Sequence, residues 1–242
     1  MRKQKIIKMK IMTEIYDYMT AKSYQGHKKK TRLPRRQLTK EEVARNNFRM
    51  AKAKLRRLIA NNFESDDYYI TLTIKERVDI ETAKKYITNF NRRLRDAFKR
   101  AKADVELKYI YILEGKRKYH FHMLINRGIE LTSQLMKKLW PHGFTDIKLY
   151  HGEAEDAIQL AEYFTKEKTE GKNQKRWVKS NSVKHPKEIV KTVKATEWRK
   201  EVKVPQGYYL DKDSYYEGIN NAGYPYRFYR LVRLHRGRGK YT

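Results

Sequence analysis

Apolar positions along this chain of 242 residues repeat at two periods, and the switching between them outlines a fold. From about 40 to 61, Val43, Phe48, Ala51, Leu55, Leu58 and Ile59 recur near every 3.6 residues, which predicts a helix with a basic outer face. Thr39 and Glu42 begin it with a capping-box pattern. Tyr68 to Ile74, rich in β-branched and aromatic residues, reads as a strand. Ala83, Tyr86, Ile87, Phe90, Leu94, Ala97 and Phe98 then return to the helical period. "VELKYIYILEG" and "YHFHMLINRG" are two strands, and the short "GKRK" link between them predicts an antiparallel hairpin. A short helix capped by Thr132, the strand "FTDIKLYHG" and the helix "EAEDAIQLAEYFTKEK" follow, the last with Ala157, Ile158, Leu160, Ala161 and Phe164 as its apolar set. Strand, helix, strand, strand, helix, strand, helix predicts an α+β fold: a central antiparallel sheet with helices packed on it.

The ends are patterned differently. Residues 1–38 are basic and loosely patterned, with "HKKKTRLPRR" at their centre, and read as an extended arm that contacts phosphates or simply solvates the chain. Beyond about 168, "TEGKNQKRWVKSNSVKHPKEIVKT" reads as a surface loop, and "YPYRFYRLVRL" as one more strand or extended segment. The expected division is an arm over 1–38, a domain over 39–190, and a C-terminal extension over 191–242 that packs on or follows the core. No internal repeat is visible.

Charge narrows the class of partner. Lys and Arg number 57 against 28 Asp and Glu, a formal charge of +29. Such an excess repels itself and points to a polyanion, with nucleic acid first and an anionic membrane surface second. No apolar run approaches the roughly 18 residues that span a bilayer. "MRKQKIIKMKIM" interrupts its apolar residues with lysines and so lacks a signal-peptide core. The chain contains no Cys, which excludes disulfides and thiolate metal sites and leaves His, Asp, Glu or Gln to hold any metal. A soluble, cytoplasmic protein facing nucleic acid is expected. The 19 Tyr against 8 Phe fit half-buried strand positions, and also surfaces that stack bases.

Two clusters carry candidate chemistry. His120 and His122 are two apart on a strand, so they share a face, roughly 7 Å apart along the chain. Phe121 between them points into the other layer. Across the hairpin, Glu114 falls nearly opposite His120 on that same face. Two imidazoles and a carboxylate suit a divalent cation, Mg²⁺ or Mn²⁺ in use; a satisfied surface pair of histidines is the competing account. The second cluster is Tyr163 and Lys166, three apart on a helix and so on one face. A phenol is inert near neutral pH, and a nearby ammonium favours its ionised form. Taken alone, this pair is equally ordinary helix surface.

In order, these segments run from a strand with Thr71, Leu72 and Thr73, through Glu114 and "HFHMLIN", to "YFTK". That order resembles the three-motif signature of the HUH endonucleases, and in particular the rolling-circle replication initiators of small plasmids and phage-like elements. The resemblance covers about residues 39–190. It implies a Rep-type, ferredoxin-like or RRM-like sheet with His120 and His122 on central strands and the tyrosine helix beside that face. It implies that Tyr163 attacks a phosphodiester of single-stranded or hairpin origin DNA, becomes linked to the 5′ phosphate and frees a 3′ hydroxyl. His120, His122 and Glu114 would hold the metal, and Lys166 would position or charge the tyrosine. Host helicase and polymerase would be partners, because no G-x-x-x-x-G-K-[ST] is present. Position 167 is Glu, so the third motif has one tyrosine and termination needs another route, such as a second subunit in a homodimer on DNA.

For DNA contacts, Lys116, Arg117, Lys118, Lys175, Arg176 and Trp177 are the foremost candidates, the cations for phosphate and the indole for stacking. Lys75, Arg92, Arg93, Arg95, Lys172 and Lys179 are further cations in this reading. HUH transposases and relaxases share the same chemistry and remain alternatives. So does a basic nucleic-acid-binding protein without catalysis, and a covalent DNA adduct separates the two classes.

Overall fold

The alternation expected over Tyr68–Ile74 is what the chain forms: Tyr68, Ile70, Leu72 and Ile74 are buried, while Tyr69, Thr71 and Thr73 face the other way. The computed structural model describes residues 2–20, 37–115, 118–166, 177–195, 197–220 and 222–234. Two compact units are present, one of Met1–Asn47 with Pro186–Thr242 and one of Phe48–His185. Each is built on a five-stranded antiparallel sheet, so the fold is α+β, with more strand than the expected single sheet.

In the unit Phe48–His185 the strand order is β6-β3-β5-β4-β7. The strands are β3 (Tyr68–Ile74), β4 (Tyr109–Glu114), β5 (His120–Ile125), β6 (Gly143–Leu149) and β7 (Val178–Lys179). One face carries Ile70, Leu72, Phe121 and Met123, and helix α2 (Ile80–Arg100) closes it with Ala83, Ile87, Phe90 and Leu94. Asp79 caps α2, its carboxylate accepting from the Thr82 amide at 2.6 Å. The short helix α3 (Ser133–Leu139), capped by Thr132 as expected, adds Met136 and Leu139 to the same core. Trp140 meets Phe90 and Phe121 edge to face, and its indole N–H donates to the Thr73 carbonyl at 3.1 Å. Helix α1 (Lys40–Asn62) starts in the capping box of Thr39 and Glu42. Its burial is confined to the C-terminal half, at Leu55, Leu58 and Ile59, while Val43 is exposed. Helix α4 (Ala154–Thr165) buries Ala157, Ala161 and Phe164, one face at helical spacing.

The other unit corrects two expectations. The basic character of 1–38 predicts an arm, yet β1 (Arg2–Lys8) and β2 (Met12–Tyr18) form there; "HKKKTRLPRR" lies outside the described residues. The loop expected after 168 contains β7 and the strand β8 (Glu188–Val193). With β9 (Tyr208–Ile219) and β10 (Pro225–Arg233) the order is β8-β1-β2-β10-β9. Both segments hide their pattern for physical reasons. β8 is an edge strand, almost wholly exposed, so burial imposes no alternation on it. In β1 and β2 charged residues turn inward as partners. Buried Asp17 accepts from Arg227 Nη2 at 2.7 Å and Gln4 Nε2 at 3.0 Å, and also pairs with Arg2. Ile15, Tyr229 and Leu231 form the apolar cluster on that face. Among the described residues no helix is long and apolar enough to cross a membrane.

Candidate metal and nucleophile centre

The β4–β5 hairpin sets the ligand positions. Glu114 pairs in register with His120, and His122 pairs with Ile112 one step inward. The link turns at Gly115, whose φ of +107° places it in the left-handed region. A Cβ there would lie 2.1 Å from the Lys118 carbonyl oxygen, so the tight return depends on its absence. Phe121 goes to the opposite core, as alternation requires, leaving both imidazoles on the other face.

Glu114, His120 and His122 each offer a ligand atom, and these atoms all lie within 4.8 Å of one another. Around a first-row divalent cation with bonds of about 2.1 Å, ligand atoms stand about 3 to 4 Å apart, so small side-chain rotations close the set. Two imidazoles with one carboxylate, without thiolate, suit a borderline or hard divalent ion. The residues therefore fit the group. The second nitrogen of His122 is also provided for: Nδ1 lies 3.1 Å from the Tyr69 hydroxyl and 3.3 Å from Thr71 Oγ1. Donation from Nδ1–H to either oxygen leaves the Nε2 lone pair directed at the centre.

Helix α4 brings Tyr163 to the same point. Its hydroxyl donates to Glu114 Oε2 at 2.6 Å and stands 3.0 Å from His122 Nε2. The phenol and the His122 ring meet edge to face at 5.3 Å. An ion pair of Lys52 with Glu162 ties α4 to α1 beside it. The phenol is held protonated: burial pushes its pKa well above the ordinary phenol range, and the hydrogen bond to Glu114 and the Glu114 charge push it further. Tyr69 is pushed up to about 12, by burial first and then by Glu114 and Asp146.

The other expected site residues are distributed unevenly. Lys166 is not on the helical face with Tyr163: α4 ends at Thr165, and Lys166 is its exposed C-cap with ψ of 130°. The i, i+3 argument fails there because the backbone has left the helix. Lys118 is exposed in the β4–β5 turn and Trp177 is half-buried just before β7, whereas Lys116, Arg117, Lys172, Lys175 and Arg176 lie outside the described residues. Arg92, Arg93 and Arg95 ride on α2, which packs on the face opposite the histidines, and Arg93 donates to the Leu139 carbonyl. Lys179 donates to the Val183 carbonyl at 2.9 Å.

Two residues of this face escape the sequence reading. Tyr69, at the His122 ring, is two positions before Thr71 on the same strand face, and period two was the signal available. Phe144 on β6 is 68% exposed and lies in the register row of Thr73 and His120, about 10 Å from His120 at two strand spacings.

Residues 67–168, which hold every member of this centre but less than half of the chain, match a family model of replication-associated proteins, the ORF2 family. No curated protein and no solved structure matches. Over the stretch that builds the centre, the chain is similar to replication-associated proteins, which supports a replication initiator of the Rep type.

Proposed function

We propose that the chain is a replication-initiator endonuclease that nicks single-stranded origin DNA through Tyr163. The observation that carries this reading is the Tyr163 hydroxyl at 2.6 Å from Glu114 and 3.0 Å from His122, inside a set of atoms suited to a divalent cation. A phenol directed at a metal-ligand set is an uncommon way to fill a half-buried position, and it suits transesterification. Similarity to replication-associated proteins favours an initiator over a transposase or relaxase.

Tyr163 Oη attacks the phosphorus, the Oη–P bond forms and the P–O3′ bond breaks. The phenol gives up its proton, the departing 3′ oxygen takes one up, and the 5′ phosphate stays on the tyrosine. One phosphodiester replaces another, so the strand can be rejoined by the reverse attack, while the free 3′ hydroxyl can prime a polymerase. His120, His122 and Glu114 would hold Mg²⁺ or Mn²⁺, which when bound polarises the phosphate and offsets its growing charge. Tyr69 and Thr71 orient the His122 ring. Lys166 and Lys118, both exposed, suit contact with DNA phosphates. Host helicase and polymerase, and a second subunit for termination, belong to this reading.

The test is incubation of the chain with labelled single strands tiled across the DNA flanking its gene, with Mn²⁺ or with chelator. A protease-sensitive adduct that needs Mn²⁺ and vanishes in Tyr163→Phe is expected. Tight binding with no adduct on any strand would favour a binding protein.

A further inference from the structure

The sheet β8-β1-β2-β10-β9 turns Asp17, Arg227, Tyr229 and Leu231 inward on one face, and its other face has a distinct composition. Register aligns Lys5, Tyr16, Phe228 and Tyr216 in one row across β1, β2, β10 and β9. The neighbouring row, about 7 Å along the strands, aligns Lys3, Tyr18, Tyr226 and Gly218. Residues opposite one another, and those two apart, share a face. Five aromatic rings and two lysines therefore form one patch. Tyr16 and Phe228 lie with ring centroids 4.6 Å apart and Tyr216 and Tyr226 with centroids 5.6 Å apart. A Cβ at Gly218 would come within 2.7 Å of Tyr216, so the Tyr216 ring lies over the glycine. Tyr216 is 54% exposed, and Tyr16, Tyr18, Tyr226 and Phe228 are half-buried.

A sheet face that presents rings in adjacent rows, with cations at one edge, has the chemistry that stacks unpaired bases and meets their phosphates. A duplex offers no base faces to such rings. The acidic groups on the face are engaged: Glu14 is buried and accepts from the Tyr16 hydroxyl, and Glu188 pairs with Lys5 at 2.6 Å, a partly exposed pair that a phosphate can replace. With a formal charge of +29 on the chain, a polyanion is the complementary occupant.

We propose that this face binds single-stranded DNA, stacking two or three bases on Tyr16, Phe228, Tyr216 and Tyr226, with Lys3 and Lys5 on the phosphates. The site lies in a different unit from the Tyr163 centre, and only the choice of DNA over RNA rests on the initiator reading.

The experiment uses the full chain carrying Tyr163→Phe, so that no strand is consumed. An oligo(dT) bearing 5-iododeoxyuridine is photocrosslinked and the linked peptides are identified by mass. Crosslinks at Tyr16, Tyr216, Tyr226 or Phe228 are expected. Fluorescence anisotropy should show binding about 5- to 100-fold weaker in Tyr216→Leu/Tyr226→Leu, the range for lost base stacking, with an unchanged melting temperature. Crosslinks confined to residues 48–185, or unchanged affinity in the folded double variant, would overturn the proposal. Should the double variant unfold, the crosslink positions on the intact sheet decide. Displacement of dT by oligo(rU) at lower concentration than by unlabelled dT would overturn the assignment to DNA. Binding here stands or falls without reference to nicking, so the two readings fail separately.

Discussion

The Tyr163 hydroxyl donates to Glu114 at 2.6 Å, which couples the proton of the candidate nucleophile to the charge of a candidate metal ligand. A negative neighbour disfavours a phenolate, so the phenol's pKa is raised by Glu114 on top of burial. Removing that charge lowers it. Glu114→Gln is predicted to move the Tyr163 pKa down toward the ordinary phenol value. Titration of ¹³Cζ-tyrosine NMR signals, with Tyr163 assigned by its loss in Tyr163→Phe, measures this. An unchanged pKa would show that Glu114 does not hold the proton.

Tyr69 reaches the far nitrogen of His122 and so fixes how the ring faces the centre. Tyr69→Phe is predicted to weaken Mn²⁺ binding about 10-fold, the lower end for a lost orienting partner, because Thr71 retains a contact with the same nitrogen. Isothermal titration calorimetry reads this directly.

Much of this centre is legible in the sequence because the geometry of a hairpin is simple. A short link and period-two alternation are enough to put Glu114 opposite His120 and to send Phe121 away, and the register does both. Helix α4 is legible from Ala157, Ala161 and Phe164, but not its last turn: the spacing of Tyr163 and Lys166 assumes a helix that has ended. Tyr69 needed a ring orientation that no spacing supplies. In the second sheet, alternation is masked by inward charges such as Asp17, whose partners Arg2 and Arg227 come from two other strands and are far apart in the chain. An edge strand such as β8 carries no burial pattern to read.

Gly115 makes the hairpin return with φ of +107°, where a side chain would meet the Lys118 carbonyl. Gly115→Ala is predicted to cost about 1 to 3 kcal/mol, the range for a strained backbone position. It should also weaken Mn²⁺ binding, since Glu114 is the adjacent residue. Urea denaturation and metal titration on the same sample check both effects.

Alkaline stability follows from buried phenols. Tyr69 and Tyr111 are pushed up to about 12, mainly by burial, so the folded chain keeps protons that the unfolded chain releases from about pH 10. Their contribution is fully present below about pH 10 and is lost as pH rises through about 12. Stability should fall across that window, and Tyr111→Phe should make the fall shallower. Urea midpoints between these pH values test the slope.

The central claim is that the phenol at position 163 is the group that receives the phosphate. Two tyrosines among the described residues, Tyr163 and Tyr69, touch His122, so the nucleophile can be read from the modified peptide. Mass spectrometry of the protease-digested adduct formed with Mn²⁺ is predicted to find the nucleotide phosphate on the peptide containing Tyr163. A phosphate on Tyr69, or strand cleavage that leaves every tyrosine unmodified, would contradict the account.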